Sequence, residues 1–306
     1  LSKSKVSLTT GSSPMLYMGV NLSGGEWSGG QIPGVVPNDY FWPTTEDVNY
    51  FKSKGMNIIR IPILWERLQP TLNGAFNTSY LSALTTLVNA IKAAGMTAII
   101  DVHNYGYYPA YQPNTYNAYG NLGGYTNYVG GASGPTNAQF ADLWTKLGKL
   151  WANDSQVIFG LMNEPANMPT VTWLSAANAA IAAIRSSTGG NANNLILVPG
   201  NCWTGGWSWV GGGGVSPCNA AGADNGTVML GVIDSGNNYA FDIHQYLDSN
   251  KSGTNGQDCT QNGSTILSSV TQWLKTNNKR AFLGEFAGIN SPDCQTVVTN
   301  MLTYMN

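Results

Sequence analysis

Two glutamates stand at the ends of apolar runs in this chain. Val157-Ile158-Phe159-Gly160-Leu161-Met162 delivers Asn163-Glu164 and stops at Pro165, and Gly284-Glu285-Phe286 ends a second run near the other end. A carboxylate at the end of a buried strand is costly unless something uses it. Arg60 lies among isoleucines in Ile58-Ile59-Arg60-Ile61-Pro62, and a further run closes with Asp101-Val102-His103-Asn104. In Asp242-Ile243-His244-Gln245-Tyr246, strand alternation points His244 and Tyr246 the same way. Two carboxylates from different strands, flanking a substrate bond, are the usual apparatus of glycoside hydrolysis. Taken singly, each residue has a plainer reading. Glu164 could be a helix-start carboxylate favoured by the dipole, Arg60 could pair with a structural acid such as Asp101, and the histidines could belong to the core. Both glutamates in register with His103 and His244, the chain's only 2 histidines, favour the chemical reading.

The elements that must position these residues alternate. Strands are expected at Leu16–Val20, Asn57–Ile63, Thr97–Val102, Val157–Met162, Asn194–Val198, Tyr239–His244 and Arg280–Phe286. Helices are expected at Thr44–Lys54, Thr78–Ala94, Asn137–Trp151, Thr172–Ser186, Ser264–Asn277 and Cys294–Met305. Several begin at Thr, Ser or Asn, which cap a helix start, and Gly55 and Gly95 sit where a helix ends before the next strand. Strand, helix, strand repeated this way implies a parallel sheet. No GxGxxG follows the first strand, so a dinucleotide-binding sheet loses ground. Polar residues gather at strand C-terminal ends, where a (β/α)8 TIM barrel places its active site. The linking loops there are long, notably Tyr105–Pro135 and Asn201–Gly226.

Composition narrows the partner. Charged residues make up 10% and the net charge is −2, which argues against nucleic acid. Ten Trp and fifteen Tyr suit a neutral, flat-faced ligand such as a sugar. There is no apolar run of about 18 residues, so a membrane span is not expected. Cys202, Cys218, Cys259 and Cys294 form no CxxC pair and lie in loop-like surroundings, a pattern of two disulfides in a secreted, extracellular protein. The chain begins at Leu1 without Met, so any signal peptide has been removed or lies outside this sequence. With no H-x-H cluster and no G-x-S-x-G elbow, neither metal catalysis nor serine hydrolysis is supported, and no metal or cofactor is expected.

Six pieces then stand in order: Gly19-Val20-Asn21-Leu22-Ser23-Gly24-Gly25-Glu26, Arg60-Ile61-Pro62, His103-Asn104-Tyr105, Asn163-Glu164-Pro165, His244-Gln245-Tyr246-Leu247-Asp248 and Gly284-Glu285-Phe286. From about Tyr17 to Asn306 the chain resembles glycoside hydrolase family 5, and within it the secreted fungal-type endo-β-1,4-glucanases. The resemblance implies a retaining endo-acting hydrolase of β-1,4-glucan such as cellulose. Glu164 would be its acid/base and Glu285 its nucleophile, kept ionised by Arg60 and Tyr246. Asn163 would meet the sugar 2-hydroxyl, and His103 and His244 would orient the glucose and the acid/base. Asn104 and Tyr105 join the substrate-binding set, and Trp27, Trp173, Trp203 and Trp207 are candidates for stacking glucose rings. Trp144 and Trp151, seven apart on a helix, are expected in the core. The resemblance also implies the disulfide pairs Cys202–Cys218 and Cys259–Cys294. A β-mannanase or xyloglucanase of the same family, or an inactive carbohydrate-binding barrel, are the alternatives.

The pattern departs from the family in one place. The family's barrel closes with an eighth strand carrying a tryptophan that floors the glucose at the cleavage site. Seven strands are counted here, and a helix-like stretch ends the sequence at Asn306. The expectation is one catalytic barrel domain over 1–306, monomeric and C-terminally incomplete, without a carbohydrate-binding module, whose closing segment belongs to a longer protein or another polypeptide.

Overall fold

The computed structural model describes residues 15–109, 127–190, 192–255 and 258–306, so the middle of the Tyr105–Pro135 loop lies outside it. Its elements run β1 (Gly19–Asn21), α1 (Thr45–Ser53), β2 (Ile58–Ile63), α2 (Trp65–Leu68), α3 (Thr78–Ala93), β3 (Thr97–Val102), α4 (Asn137–Trp151) and β4 (Val157–Gly160). They continue α5 (Thr170–Ser186), β5 (Ile196–Pro199), α6 (Asn225–Val228), β6 (Tyr239–His244), α7 (Ser268–Thr276), β7 (Ala281–Glu285) and α8 (Pro292–Met305). Among the described residues the sheet has seven strands in chain order, every neighbouring pair parallel. With helices packed outside, it is a (β/α)8 TIM barrel with seven strands in place.

Local chemistry explains the element ends. Thr44 and Thr136 accept from the backbone of Asp47 and Gln139, whose side chains reach back to close capping boxes. Asn77 and Ser291 cap α3 and α8. Gly55 and Gly95 take φ +87° and +70°, and the N–H groups beyond them fold back onto Phe51 and Ile91. That is the left-handed stop expected between helix and strand.

Alternation along the strands sorts the core. Ile58, Ile99, Ile158, Leu197 and Ala240 form a small cluster inside the barrel, with Tyr17, Leu195 and Phe282 against it. Two residues further on, the same inward face carries Arg60, Asp101 and Asp242. The larger cluster lies between sheet and helices and takes in Trp144 and Trp151 as expected.

The first strand is shorter than its apolar run. Leu16 and Met18 are 75% and 49% exposed, and only Gly19–Asn21 joins the ladder. Before that the backbone is pinned by Asn57, whose side chain accepts from Met18 N and donates to Leu16 O. Strands β2 to β6 are buried almost throughout, whereas β1 and β7 alternate or remain partly exposed. Contacts across the β1–β7 seam are made by side chains. Asn21 Nδ2 donates to Gly284 O at 3.0 Å, and the Tyr17 and Phe282 rings meet edge-on at 6.2 Å. No helix among the described residues is long and apolar enough to cross a membrane.

Both disulfides form as expected, Cys202–Cys218 and Cys259–Cys294. The second ties the segment after β6 to α8.

Candidate active site

The buried guanidinium of Arg60 organises the barrel mouth. Its Nη1 donates to Glu285 Oε1 at 2.7 Å and to Asn21 Oδ1 at 3.0 Å. Its Nη2 donates to Asn163 Oδ1 at 2.8 Å and lies 3.0 Å from Asp101 Oδ1. A charge taken out of water must be paired to be tolerated, and Arg60 has two carboxylates. Arg60 thus contacts both the candidate nucleophile Glu285 and the structural acid Asp101.

Glu285, at the end of β7, receives the Tyr246 hydroxyl on its other oxygen at 2.7 Å. A bulge between Ile243 and His244 breaks the β6–β7 register and sets His244 opposite Glu285. Bulges commonly re-aim side chains beside active sites. His244 Nδ1 is 2.7 Å from Glu164 Oε1 and 3.6 Å from Glu285 Oε2, with Asp242 Oδ2 3.8 Å from its Nε2. Glu164 itself adopts φ +42°, a left-handed conformation unusual for a side-chain-bearing residue. Strain of this kind concentrates at functional sites and costs about 1–3 kcal/mol per residue. An oxygen of Glu164, an oxygen of Glu285 and a ring nitrogen of His244 all lie within 4.8 Å of one another.

The two carboxyls are driven apart electrically. Burial would raise Glu285, but the charges of His244, Arg60 and His103 and the Tyr246 hydrogen bond outweigh it and hold it far below its usual range. Burial raises Glu164 above its usual range, and the Glu285 charge adds to that against the opposing contact with His244. Burial disfavours protonated His244, yet Glu285, Asp242 and Glu164 push its pKa up to about 10. His103 is raised too, burial being outweighed by Asp101, which holds its Nδ1 at 2.8 Å. Pairs of titratable groups pushed in opposite directions mark an acid and a nucleophile or base.

Most of the expected residues meet here. Glu164, Glu285, Arg60, Asn163, His244 and Tyr246 form one connected network. His103 joins it through Asp101, and the Tyr105 hydroxyl is 3.4 Å from His103 Nε2. Two residues do not belong to the sugar face. Asn104 is 0% exposed, accepts from Trp65 N and donates to Glu66 Oε2 and Tyr107 O, so its amide is consumed holding the loop. Trp173 is also 0% exposed, because α5 starts at Thr170 and turns this ring into the core, where Nε1 donates to Pro199 O. Neither can stack or bind a glucose unit.

Trp27 is 52% exposed and edge-on to Phe41. Trp203 is half-buried in a turn where Cys202, Trp203 and Thr204 have φ of +53°, +57° and +50°. Trp207 is half-buried with Lys251 Nζ 4.6 Å above its ring. Sequence reasoning gave Asp242 no role and Asp101 only that of a structural partner. Their signal was a lone acid two residues beyond an inward-facing apolar one, in Ile99-Ile100-Asp101 and Ala240-Phe241-Asp242.

Residues 17–306 match the Cellulase (glycosyl hydrolase family 5) family. Endoglucanase 1 of Robillarda sp. is 37% identical, the match covering 97% of this chain and 76% of that protein. An endo-beta-1,4-glucanase from Xanthomonas axonopodis pv. citri superposes with a TM-score of 0.82 at 40% identity, covering 94% of this chain and 83% of that one. A solved relative in complex with cellopentaose gives 0.81 at 40% identity, covering 94% and 84%. The match runs over nearly the whole chain, and the chain belongs to glycosyl hydrolase family 5, the cellulase family.

Proposed function

We propose that this protein is a retaining endo-β-1,4-glucanase that cuts internal bonds of cellulose and related β-glucans, with Glu164 as acid/base and Glu285 as nucleophile. The observation that carries this reading is the carboxylate pair, with oxygens within 4.8 Å of each other and opposite shifts. Retaining enzymes hold their carboxyls about 5–5.5 Å apart and inverting ones about 6.5–9.5 Å, to admit a water. The ionised Glu285 attacks the anomeric carbon as Glu164 gives its proton to the leaving oxygen. Glu164 then takes a proton from the water that hydrolyses the glycosyl-enzyme. Asn163, its carbonyl held by Arg60, presents its amide NH2 to the sugar 2-hydroxyl. His103, Tyr105 and His244 orient the glucose and the acid/base, and Trp27, Trp203 and Trp207 are the ring-stacking candidates that remain.

One barrel domain carries the whole set, and the reading takes the enzyme as a monomer. Two disulfides belong to an oxidising compartment, and an insoluble polymer is met outside the cell, which supports secretion. The test is reducing-sugar release from carboxymethylcellulose, barley glucan and mannan side by side, with viscosity followed in parallel. Rapid viscosity loss on the two glucans and little on mannan is the expected result. Preference for mannan would overturn the substrate, and no hydrolysis of any would leave a carbohydrate-binding barrel.

A further inference from the structure

The Tyr246 hydroxyl bonds Glu285, but one face of its ring is covered by backbone. At Gly253 an added Cβ would lie 2.4, 2.5 and 2.7 Å from Cδ1, Cε1 and Cγ of the Tyr246 ring. These distances are far inside ordinary carbon–carbon contact of about 3.5–4.0 Å. Gly253 has φ +71°, so both its conformation and its missing side chain are needed for this approach. The loop that presents it is wound around Asp248, which directly follows Tyr246 and Leu247. Gly253 N donates to Asp248 Oδ1 at 3.1 Å and Asn255 N to Oδ2 at 3.3 Å. Lys251 N and Gln261 Nε2 both donate to Asp248 O at 3.1 Å. The Asp248 side chain is itself buried.

We propose that the Asp248–Asn255 loop is a clamp that sets the Tyr246 phenol against Glu285, with Gly253 and Asp248 as positioning residues for hydrolysis. This rests on the reading of Glu285 as the nucleophile. Asp248 fixes the loop, the loop puts Gly253 flat on the ring, and the ring cannot swing away from the carboxylate. Neither residue touches the reacting atoms; both act through Tyr246. The groups that face Glu285 from the other elements are Arg60 on β2, His103 beyond β3, Glu164 beyond β4 and His244 on β6, with Asp242 on β6 beside Arg60 and His244. All of them are left unchanged in the variants below.

The experiment compares Gly253→Ala, Asp248→Asn, Tyr246→Phe and the Gly253→Ala/Tyr246→Phe double variant on barley glucan across pH. Gly253→Ala should lower kcat by about 10²-fold, the penalty of a misplacement near 1 Å, with KM little changed. It should also move the acid limb of kcat/KM to higher pH, in the direction Tyr246→Phe moves it. In the Tyr246→Phe background Gly253→Ala should have almost no further effect, because the ring it displaces no longer holds the carboxylate. Asp248→Asn should show a smaller shift the same way, and it carries the test if Gly253→Ala does not fold. Lowered melting temperatures with an unmoved acid limb, or losses that multiply in the double variant, would overturn the clamp alone. An acid limb that Tyr246→Phe itself leaves in place would overturn both the clamp and the Tyr246–Glu285 reading.

Discussion

Glu164 and Glu285 are the same residue type in opposite proposed tasks, and their neighbours divide them. Glu285 has its pKa lowered from an ordinary 4.5, so it stays ionised until the pH falls through that depressed value. Glu164 has its pKa raised from 4.5, so it keeps its proton until the pH rises through the elevated value. Catalysis needs one ionised and the other protonated, which predicts a bell-shaped kcat/KM profile spanning the two. His244 lowers both carboxyls, so His244→Asn should move both limbs to higher pH, with kcat down by about 10²-fold from lost orientation. A limb that moves down would contradict the assignment of charge to His244. Mutation separates the roles further. Glu164→Ala should still cleave an aryl glycoside with a good leaving group, faster with added azide, whereas Glu285→Ala should lose both substrates. The reverse outcome would exchange acid and nucleophile.

The elements explain which residues the sequence made legible. Polar residues that interrupt apolar runs, such as Arg60 and His244, could be read because only a shared site makes several such interruptions reasonable. Trp173 could not, since a tryptophan near a helix start carries no mark of the face it will take. Asn104 sits beside His103 in the motif, but its partners Trp65 and Glu66 come from α2, far away in sequence. β1 starts later than its apolar run because, before Gly19, the Asn57 side chain takes the Met18 N–H and the Leu16 carbonyl, which no apolar pattern reveals. Trp173 gives a direct check at this scale. Trp173→Ala should cost about 3–5 kcal/mol in denaturant unfolding, as expected for a large core ring, with KM for cellopentaose unchanged. A higher KM at unaltered stability would return this ring to the sugar face. The turn at Cys202–Thr204 is held from two sides, by the disulfide to Cys218 and by paired amides of Asn201 and Asn225. Replacing both cysteines by serine should remove about 3 kcal/mol, the loop-closure value for a cross-link of this span, and should raise KM for long glucans if Trp203 binds them.

Across the whole molecule, stability should follow the burial of the strands. Each of β2 to β6 is paired on both sides and buried, so its amides open only with the barrel as a whole. β1 and β7 are the two ends of the strand order, each paired by backbone on one side. An unpaired strand edge exposes N–H and C=O groups to solvent and to other chains. The seam is also where Glu285 and the Asn21 partner of Arg60 sit, so loosening there reaches the proposed nucleophile. Native-state hydrogen exchange should therefore rank the strands, with the slowest amides in β2, β3 and β6 and the fastest in β1 and β7, since protection tracks local opening. Cellopentaose should slow exchange in β7 more than in β3, because β7 ends at Glu285, the proposed nucleophile, while β3 is already paired on both sides. Equal protection around the ring before any sugar is added would mean that both edges are paired in solution by a further strand. In that case Asn21→Ala should leave the protection of β7 untouched. If the side-chain bridge is the main tie across the seam, the same substitution should speed exchange at Gly284 and Glu285 and lower activity together with it.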